Sequence, residues 1–133
     1  MGTGMTEDAL EISAVEVKAL LEAGEEFLLV DCREPLEADY ASITGAQLIP
    51  MSELADRVEE LEPSQASRIV VHCHLGGRSL QVAHWLRQQG FARAQSMSGG
   101  IESWSQQVDR AVPRYELGPL GLSPLEAADG DPV

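Results

Sequence analysis

The chain has 133 residues, 9 basic and 22 acidic side chains, and a formal net charge of −13. Its length suits one domain, and 44% hydrophobic residues is too many for a disordered acidic tail. The charge repels nucleic-acid phosphate, so DNA and RNA are disfavoured partners, and it slows capture of small anions unless a local site overrides the wider field.

The longest uninterrupted apolar stretch, Phe27-Leu28-Leu29-Val30, is too short to span a bilayer, so no membrane partner is expected. Two cysteines, Cys32 and Cys73, are too few for a disulfide scaffold, and neither sits in a Cys-x-x-Cys or zinc spacing. Without a secretory apolar core at the start, a reducing cytoplasmic compartment is the default. Gly2 followed by Thr6 fits the loose myristoylation template. A flexible leader over residues 1–8, with Met5 as an alternative start, is the preferred reading.

In chain order, Leu10-Glu11-Ile12 alternates as a strand does, and Ser13 opens a helix through the capping box Ser13-Ala14-Val15-Glu16. That helix buries Val17, Leu20 and Leu21 and stops at Gly24. Phe27 to Asp31 reads as a strand covered on both faces. Arg33 to Thr44 reads as loop with at most a helical turn, and Ala46 to Ile49 as a short strand closed by Pro50. Ser52 caps a helix over 53–61, with Leu54, Val58 and Leu61 at helical spacing and Pro63-Ser64 as its break. Ile69 to His72 is a second buried strand. A helix over 79–89 follows, with Gly90 as its C′ residue. Gln95 to Met97 is a short strand, Ser98-Gly99-Gly100 a turn, and 101–108 a last helix that includes Trp104. Phe91 and Trp104 read as core, and His84 as a half-exposed helix residue. Strands alternating with helices define an α/β domain over 9–110 with a mainly parallel sheet. Recurrent proline and glycine over 111–133 predict an extended or disordered acidic tail, with Tyr115 or Leu117 as the residues to pack back on the domain.

Cys73 stands where ligands bind in open α/β sheets, at the C-terminal end of a strand. The segment Cys73-His74-Leu75-Gly76-Gly77-Arg78-Ser79 bridges that strand to the next helix. Gly76 and Gly77 permit a backbone that turns several amides toward one point, and the helix aims its positive end at the same place. Such a field favours the thiolate of Cys73, the reactive form. Arg78 adds a permanent cation. His72, Cys73 and His74 do not make a metal site, because consecutive strand residues face opposite ways. Cys32 ends another strand and reads as a small structural residue, with a resolving disulfide partner as the sharper alternative.

This loop resembles the Cys-x-x-Gly-x-Arg active-site segment of single-domain rhodaneses. Asp31-Cys32-Arg33-Glu34-Pro35-Leu36-Glu37 is similar to the family's Asp-x-Arg-x-x-x-Glu stretch. Gly45-Ala46, Ile49-Pro50, Gly90-Phe91, Gly99-Gly100-Ile101 and Trp104 are further landmarks in the right order. Ala41-Ser42-Ile43-Thr44 departs from the usual Gly-His-Ile-Pro, which leaves that loop's local geometry open.

The resemblance implies a five-stranded, mainly parallel sheet with helices on both faces. It also implies a sulfurtransferase in which Cys73 takes a sulfane sulfur from a donor such as thiosulfate, becomes a persulfide, and passes the sulfur to cyanide, a thiol or a protein. No cofactor or metal is implied beyond that covalent persulfide. The amides of His74, Leu75, Gly76, Gly77, Arg78 and Ser79 would stabilise the charged sulfur, Arg78 would orient the donor's anionic end, and Asp31, Arg33 and Glu37 would brace the loop. Because Arg78 and His74 are the loop's only cations, a protein or low-molecular-weight persulfide stands level with thiosulfate as donor. A persulfide carrier or partner-binding module without turnover is the alternative. Phosphatase or arsenate reductase chemistry, which uses five residues between Cys and Arg in related loops, fits less well with the four found here.

Overall fold

The computed structural model describes residues 9–126. The leader with its Gly2 and Thr6, and the last residues of the tail from 127, lie outside that span.

Five strands build one sheet: β1 (Glu11–Ile12), β2 (Leu28–Asp31), β3 (Gln47–Leu48), β4 (Ile69–His72) and β5 (Ala94–Met97), in spatial order β1-β5-β4-β2-β3. Every pairing in it is parallel. On one face, α1 (Ala14–Glu22) and α5 (Gly100–Gln107) cover Leu29, Val70 and Met97. On the other, α3 (Leu54–Arg57) and α4 (Gly77–Gln88) cover Val30, Ile69, Val71 and Ala94. Neighbouring strand residues thus feed opposite layers, as the two-residue period of a strand requires. Phe91 and Trp104 are buried as core, and His84 is exposed.

The capping box of α1 forms as the sequence predicts. The Glu16 amide donates to Ser13 Oγ at 3.1 Å, and the Ser13 amide to Glu16 Oε1 at 3.0 Å. Leu21 does not join the buried stripe; Ala14 and Val17 are buried, Leu20 is half-buried, and Leu21 faces solvent.

Two stretches differ in local form from the sequence reading. Between 33 and 44 a six-residue helix, α2 (Pro35–Tyr40), replaces most of the loop. Proline at its first position is preset for a helix, and Glu34 and Glu37 close its first turn on each other. The helix expected over 53–61 is instead a 3-10 turn (Met51–Glu53), the single α turn of α3, and a longer 3-10 segment (Val58–Ser64). Ser52 is not its cap. Pro63 lacks an amide hydrogen and crowds the preceding turn, so the end of this segment tightens rather than continuing as α-helix. Leu54 and Leu61 remain buried all the same.

Residues 114–125 are not an unpaired tail. They form an antiparallel hairpin, β6 (Arg114–Gly118) and β7 (Gly121–Leu125), that packs on the main domain. Tyr115 anchors it, with only 1% of its surface exposed. Its ring meets Tyr40 edge-on at 5.9 Å and lies flat on His74 at 4.1 Å. Leu117, the other expected contact, stays largely exposed.

Truncating Tyr115 removes a whole buried ring. Tyr115→Ala is expected to cost about 3–5 kcal/mol, read as a shift of the urea midpoint. A midpoint unchanged within error would show that the hairpin is not part of the cooperative unit.

Candidate active site

The C-terminal ends of β2 and β4 lie side by side, with Asp31 paired to His72. One residue further along each strand come Cys32 and Cys73, and the Cys32 amide donates to the His72 carbonyl at 3.0 Å. Both cysteines belong to the layer under α4, whereas Val70, two residues before His72, faces the opposite layer. By the strand period His72 therefore faces the layer opposite the Cys73 side chain. It is buried, neither ring nitrogen has a hydrogen-bond partner, and burial pushes its pKa down to about 4. Among the described residues no His, Cys, Asp or Glu group of three could hold a metal ion.

The loop after Cys73 turns its carbonyls one way and its amides the other. The carbonyl of Cys73 accepts from the Ile101 amide at 2.8 Å, and that of His74 from the Glu102 amide at 3.1 Å, both in the first turn of α5. Gly100 allows this approach: a Cβ there would run into the carbonyls of Cys73 and His74. Gly76 has φ +107° and lies 3.0 Å, from where its Cβ would be, to the Gly99 amide nitrogen, so it is glycine on both conformational and steric grounds.

The amides then point at the sulfur. Gly76 N–H donates to Cys73 Sγ at 3.1 Å and Ser79 N–H at 3.2 Å. The Ser79 hydroxyl lies 3.3 Å from Sγ and 2.7 Å from the Ser96 hydroxyl. With Sγ as thiolate, Ser79 donates to it and accepts from Ser96. The cradle at Sγ is thus two amides and a hydroxyl rather than the whole run from His74 to Ser79.

Cys32 is part of it as well. Its thiol, in the same layer as the Cys73 sulfur, is the leading cause of the lowered Cys73 pKa. The Ser79 hydroxyl and the two amides add to it, and together they outweigh burial. The same interaction, with burial, pushes the Cys32 thiol far up. Both cysteines are free. Cys32 is therefore a polar partner of Cys73 and not only a packing residue.

Asp31, Arg33 and Glu37 form a bonded network beside the site. Arg33, fully buried, holds Asp31 through Nε at 2.8 Å and Nη2 at 2.6 Å, and also donates to the Ala41 carbonyl at 2.7 Å. Through Nη1 it donates to Tyr115 Oη at 3.0 Å, and Tyr115 donates on to Glu37 at 2.9 Å. Glu37 grips both terminal nitrogens of Arg78 at 2.8 Å. Burial alone would raise the Glu37 pKa, but Arg78, the Glu34 amide and Tyr115 together bring it down to about 2. Arg78 thus lines the site with its charge already matched.

Cys73 is 1% exposed yet forms the floor of a cleft of about 390 Å³, whose walls are His74, Leu75, Gly77, Arg78, Glu116 and Leu117. His74 donates through Nε2 to the Tyr115 carbonyl at 2.9 Å, which turns its ring to the hairpin. The sequence reading missed Ser96 and Glu116. A Gln-Ser pair in the middle of a buried strand is a signal that could have found Ser96; nothing local marks Glu116.

The chain is similar to known proteins in sequence and fold. Residues 13–107 match the model of the rhodanese-like domain. The chloroplastic rhodanese-like/PpiC domain-containing protein 12 of Arabidopsis thaliana is 37% identical over 95 residues, 68% of this chain and 31% of its own. A sulfurtransferase of Allochromatium vinosum is 34% identical over 71% of this chain and 87% of its own. The structure of the human single-domain sulfurtransferase TSTD1 superposes with a TM-score of 0.66 at 28% identity, covering 75% of this chain and 98% of that one. The chain spans under a third of the length of some curated relatives, such as the Arabidopsis protein.

Two expected outcomes follow from the charges. An ordinary thiol of pKa about 8.5 is roughly 0.3% ionised at pH 6, so alkylation of Cys73 by iodoacetamide should stay fast at pH 6, while Cys32→Ala slows it there and not at pH 9. Equal rates for variant and wild type at pH 6 would remove Cys32 from the cradle. Glu37, ionising near 2 when folded and near 4.5 otherwise, stabilises the fold fully above about pH 4.5, and that contribution is lost as pH falls toward 2. Glu37→Gln should be less stable at pH 7 but lose less stability over that acid window, measured by urea unfolding; parallel pH curves would contradict this.

Proposed function

The chain belongs to the rhodanese-like domain family, and we propose that it is a sulfurtransferase carrying sulfane sulfur on Cys73. One observation carries the reading: at the floor of a cleft, a cysteine sulfur accepts from two amides and meets a hydroxyl, contacts that favour its thiolate. Relatives named as sulfurtransferases support it.

With thiosulfate as donor, the Cys73 thiolate attacks the outer sulfur. The Cys73 S–S bond forms, the sulfur–sulfur bond of thiosulfate breaks, and sulfite leaves with the electron pair. Cyanide then attacks the terminal sulfur of the persulfide, giving thiocyanate and the free thiolate. A cellular thiol or protein would take the place of cyanide. No cofactor or metal enters either step, and the setting is a reducing compartment.

The cradle serves both sulfurs. The amides of Gly76 and Ser79 hold Sγ. The amides at the opening of α4 have no carbonyl of their own helix to bond, so those of Gly77 and Arg78 would serve the outer, charged sulfur. Asp31, Arg33 and Glu37 act at a distance by fixing Arg78 and the loop.

The test is intact mass after incubation with a sulfane-sulfur donor. Wild type should gain one sulfur atom that cyanide removes, Cys32→Ser should still gain it, and Cys73→Ser should not. An adduct that persists in Cys73→Ser would overturn the assignment. Adduct formation with no more than one thiocyanate released per chain would convert the reading into that of a persulfide carrier.

A further inference from the structure

The hairpin lies beyond the span shared with the family, which ends at residue 107, yet it builds one wall of the cleft over Cys73. We propose that this wall, through Glu116, selects the sulfur donor: an amine-bearing alkyl persulfide, with at most one net negative charge, is accepted in preference to a dianionic donor such as thiosulfate. The proposal rests on the sulfurtransferase reading above and names its substrate class.

The wall is fixed in place. Tyr115, the residue before Glu116, is bound through its hydroxyl to Arg33 and Glu37, through its carbonyl to His74, and through its ring face to the same histidine. Glu116 and Leu117 are therefore held against the active-site loop by four contacts of the preceding residue.

The charge of that wall is set by what its cations already do. Arg78 is matched nitrogen for oxygen by Glu37. Arg114, two residues before Glu116, is bonded to Glu102 at 2.7 Å. Glu116 adds a carboxylate to that wall, beside the imidazole of His74 and over a floor that holds the Cys73 sulfur.

Direction of attack places the donor's charge beside it. In a displacement at sulfur the leaving group lies opposite the nucleophile, so with Cys73 on the floor the leaving group points to the mouth. For thiosulfate that group is the sulfonate end, which would stand near Glu116. For an alkyl persulfide it is the carbon stem. Leu75 and Leu117, 63% and 46% exposed on the cleft's rim, offer that stem apolar contact, and an amine on it would meet Glu116 as a partner. The step balances: the thiolate of Cys73 attacks the outer sulfur of R–S–SH, the Cys73 S–SH bond forms, the R–S bond to that sulfur breaks, and R–S⁻ leaves and takes a proton from water. The amides of α4 do not offset the selection, because they address the sulfur being transferred and not the group that departs.

The experiment measures the rate of sulfur addition to Cys73, by quench and intact mass, with thiosulfate and with cysteine persulfide. Wild type should prefer cysteine persulfide. E116Q should raise the thiosulfate rate about three- to ten-fold, the size expected of one partly screened charge against two, with the cysteine persulfide rate unchanged or lower. E116D should keep the wild-type preference. At 1 M salt, where screening acts within about 3 Å, the difference between wild type and E116Q should shrink. A ratio of the two rates that is the same in wild type and E116Q overturns the selection and leaves the sulfurtransferase reading standing. Failure of both donors to add sulfur to wild-type Cys73 overturns that reading, and the selection with it.

Discussion

The site depends on which way a short peptide faces. Two carbonyls, of Cys73 and His74, are taken by the first amides of α5, and this fixes the loop so that its own amides look toward the sulfur. The peptide groups that give up these carbonyls carry the amides of His74 and Leu75; with that part of the loop pinned to α5, the amides of Gly76 and Ser79 further along come round to the sulfur. The glycines follow from this arrangement. Gly100 lets α5 come close enough to donate, and Gly76 lets the chain enter α4 at a left-handed angle. A thiolate then replaces what would be unsatisfied amides at the start of a helix, and each stabilises the other.

A second constraint links the loop to parts of the chain that are remote in sequence. From Asp31 through Arg33, Tyr115 and Glu37 to Arg78, each polar group has its partner inside the protein. Buried charges arranged this way add little net stability compared with apolar packing, but removing one member strands the rest at a cost of about 3–5 kcal/mol. The network therefore acts as a specification. It holds α2, the active-site loop and the hairpin in one relative position, and the Arg78 guanidinium is oriented by Glu37 before any ligand arrives.

The parts legible in the sequence were those set by local rules. The capping box at Ser13 and Glu16, the apolar strands ending at Asp31 and His72, and the glycine-containing turn from Cys73 into a helix each state their structure within a few residues. Parts decided by distant partners were not legible. Tyr115 reads in the sequence as a residue that packs the tail back on the domain but not as part of the site, because what makes it central there is Arg33 and Glu37, 82 and 78 residues away. Arg78 read as a cation facing a ligand, because Glu37, 41 residues distant, is its partner only after folding. Cys32 read as packing because the sequence does not say which strands are neighbours. Once β2 and β4 pair in register, its side chain falls in the same layer as Cys73. The helix over 53–61 failed for a local reason, the proline at 63, whose effect reached back further than a break at its own position.

The overall charge and the charge at the site are separate quantities. At physiological ionic strength an exposed charge is screened beyond about 8 Å, so most of the 22 acidic side chains have no bearing on whether Cys73 ionises. Its state is decided by its near neighbours: the Cys32 thiol, the Ser79 hydroxyl and two amides. None of these carries a formal charge. Dipoles held rigidly at short range thus keep an anion inside a strongly anionic protein, and they do so without attracting small anions from solution, since a dipole's field falls off faster with distance than that of a charge. A site built on lysines would couple the two, stabilising the sulfur and drawing in any anion at once. Built on amides and hydroxyls, the floor of the cleft can stabilise a negative sulfur while the residues at its mouth decide separately what is allowed to approach.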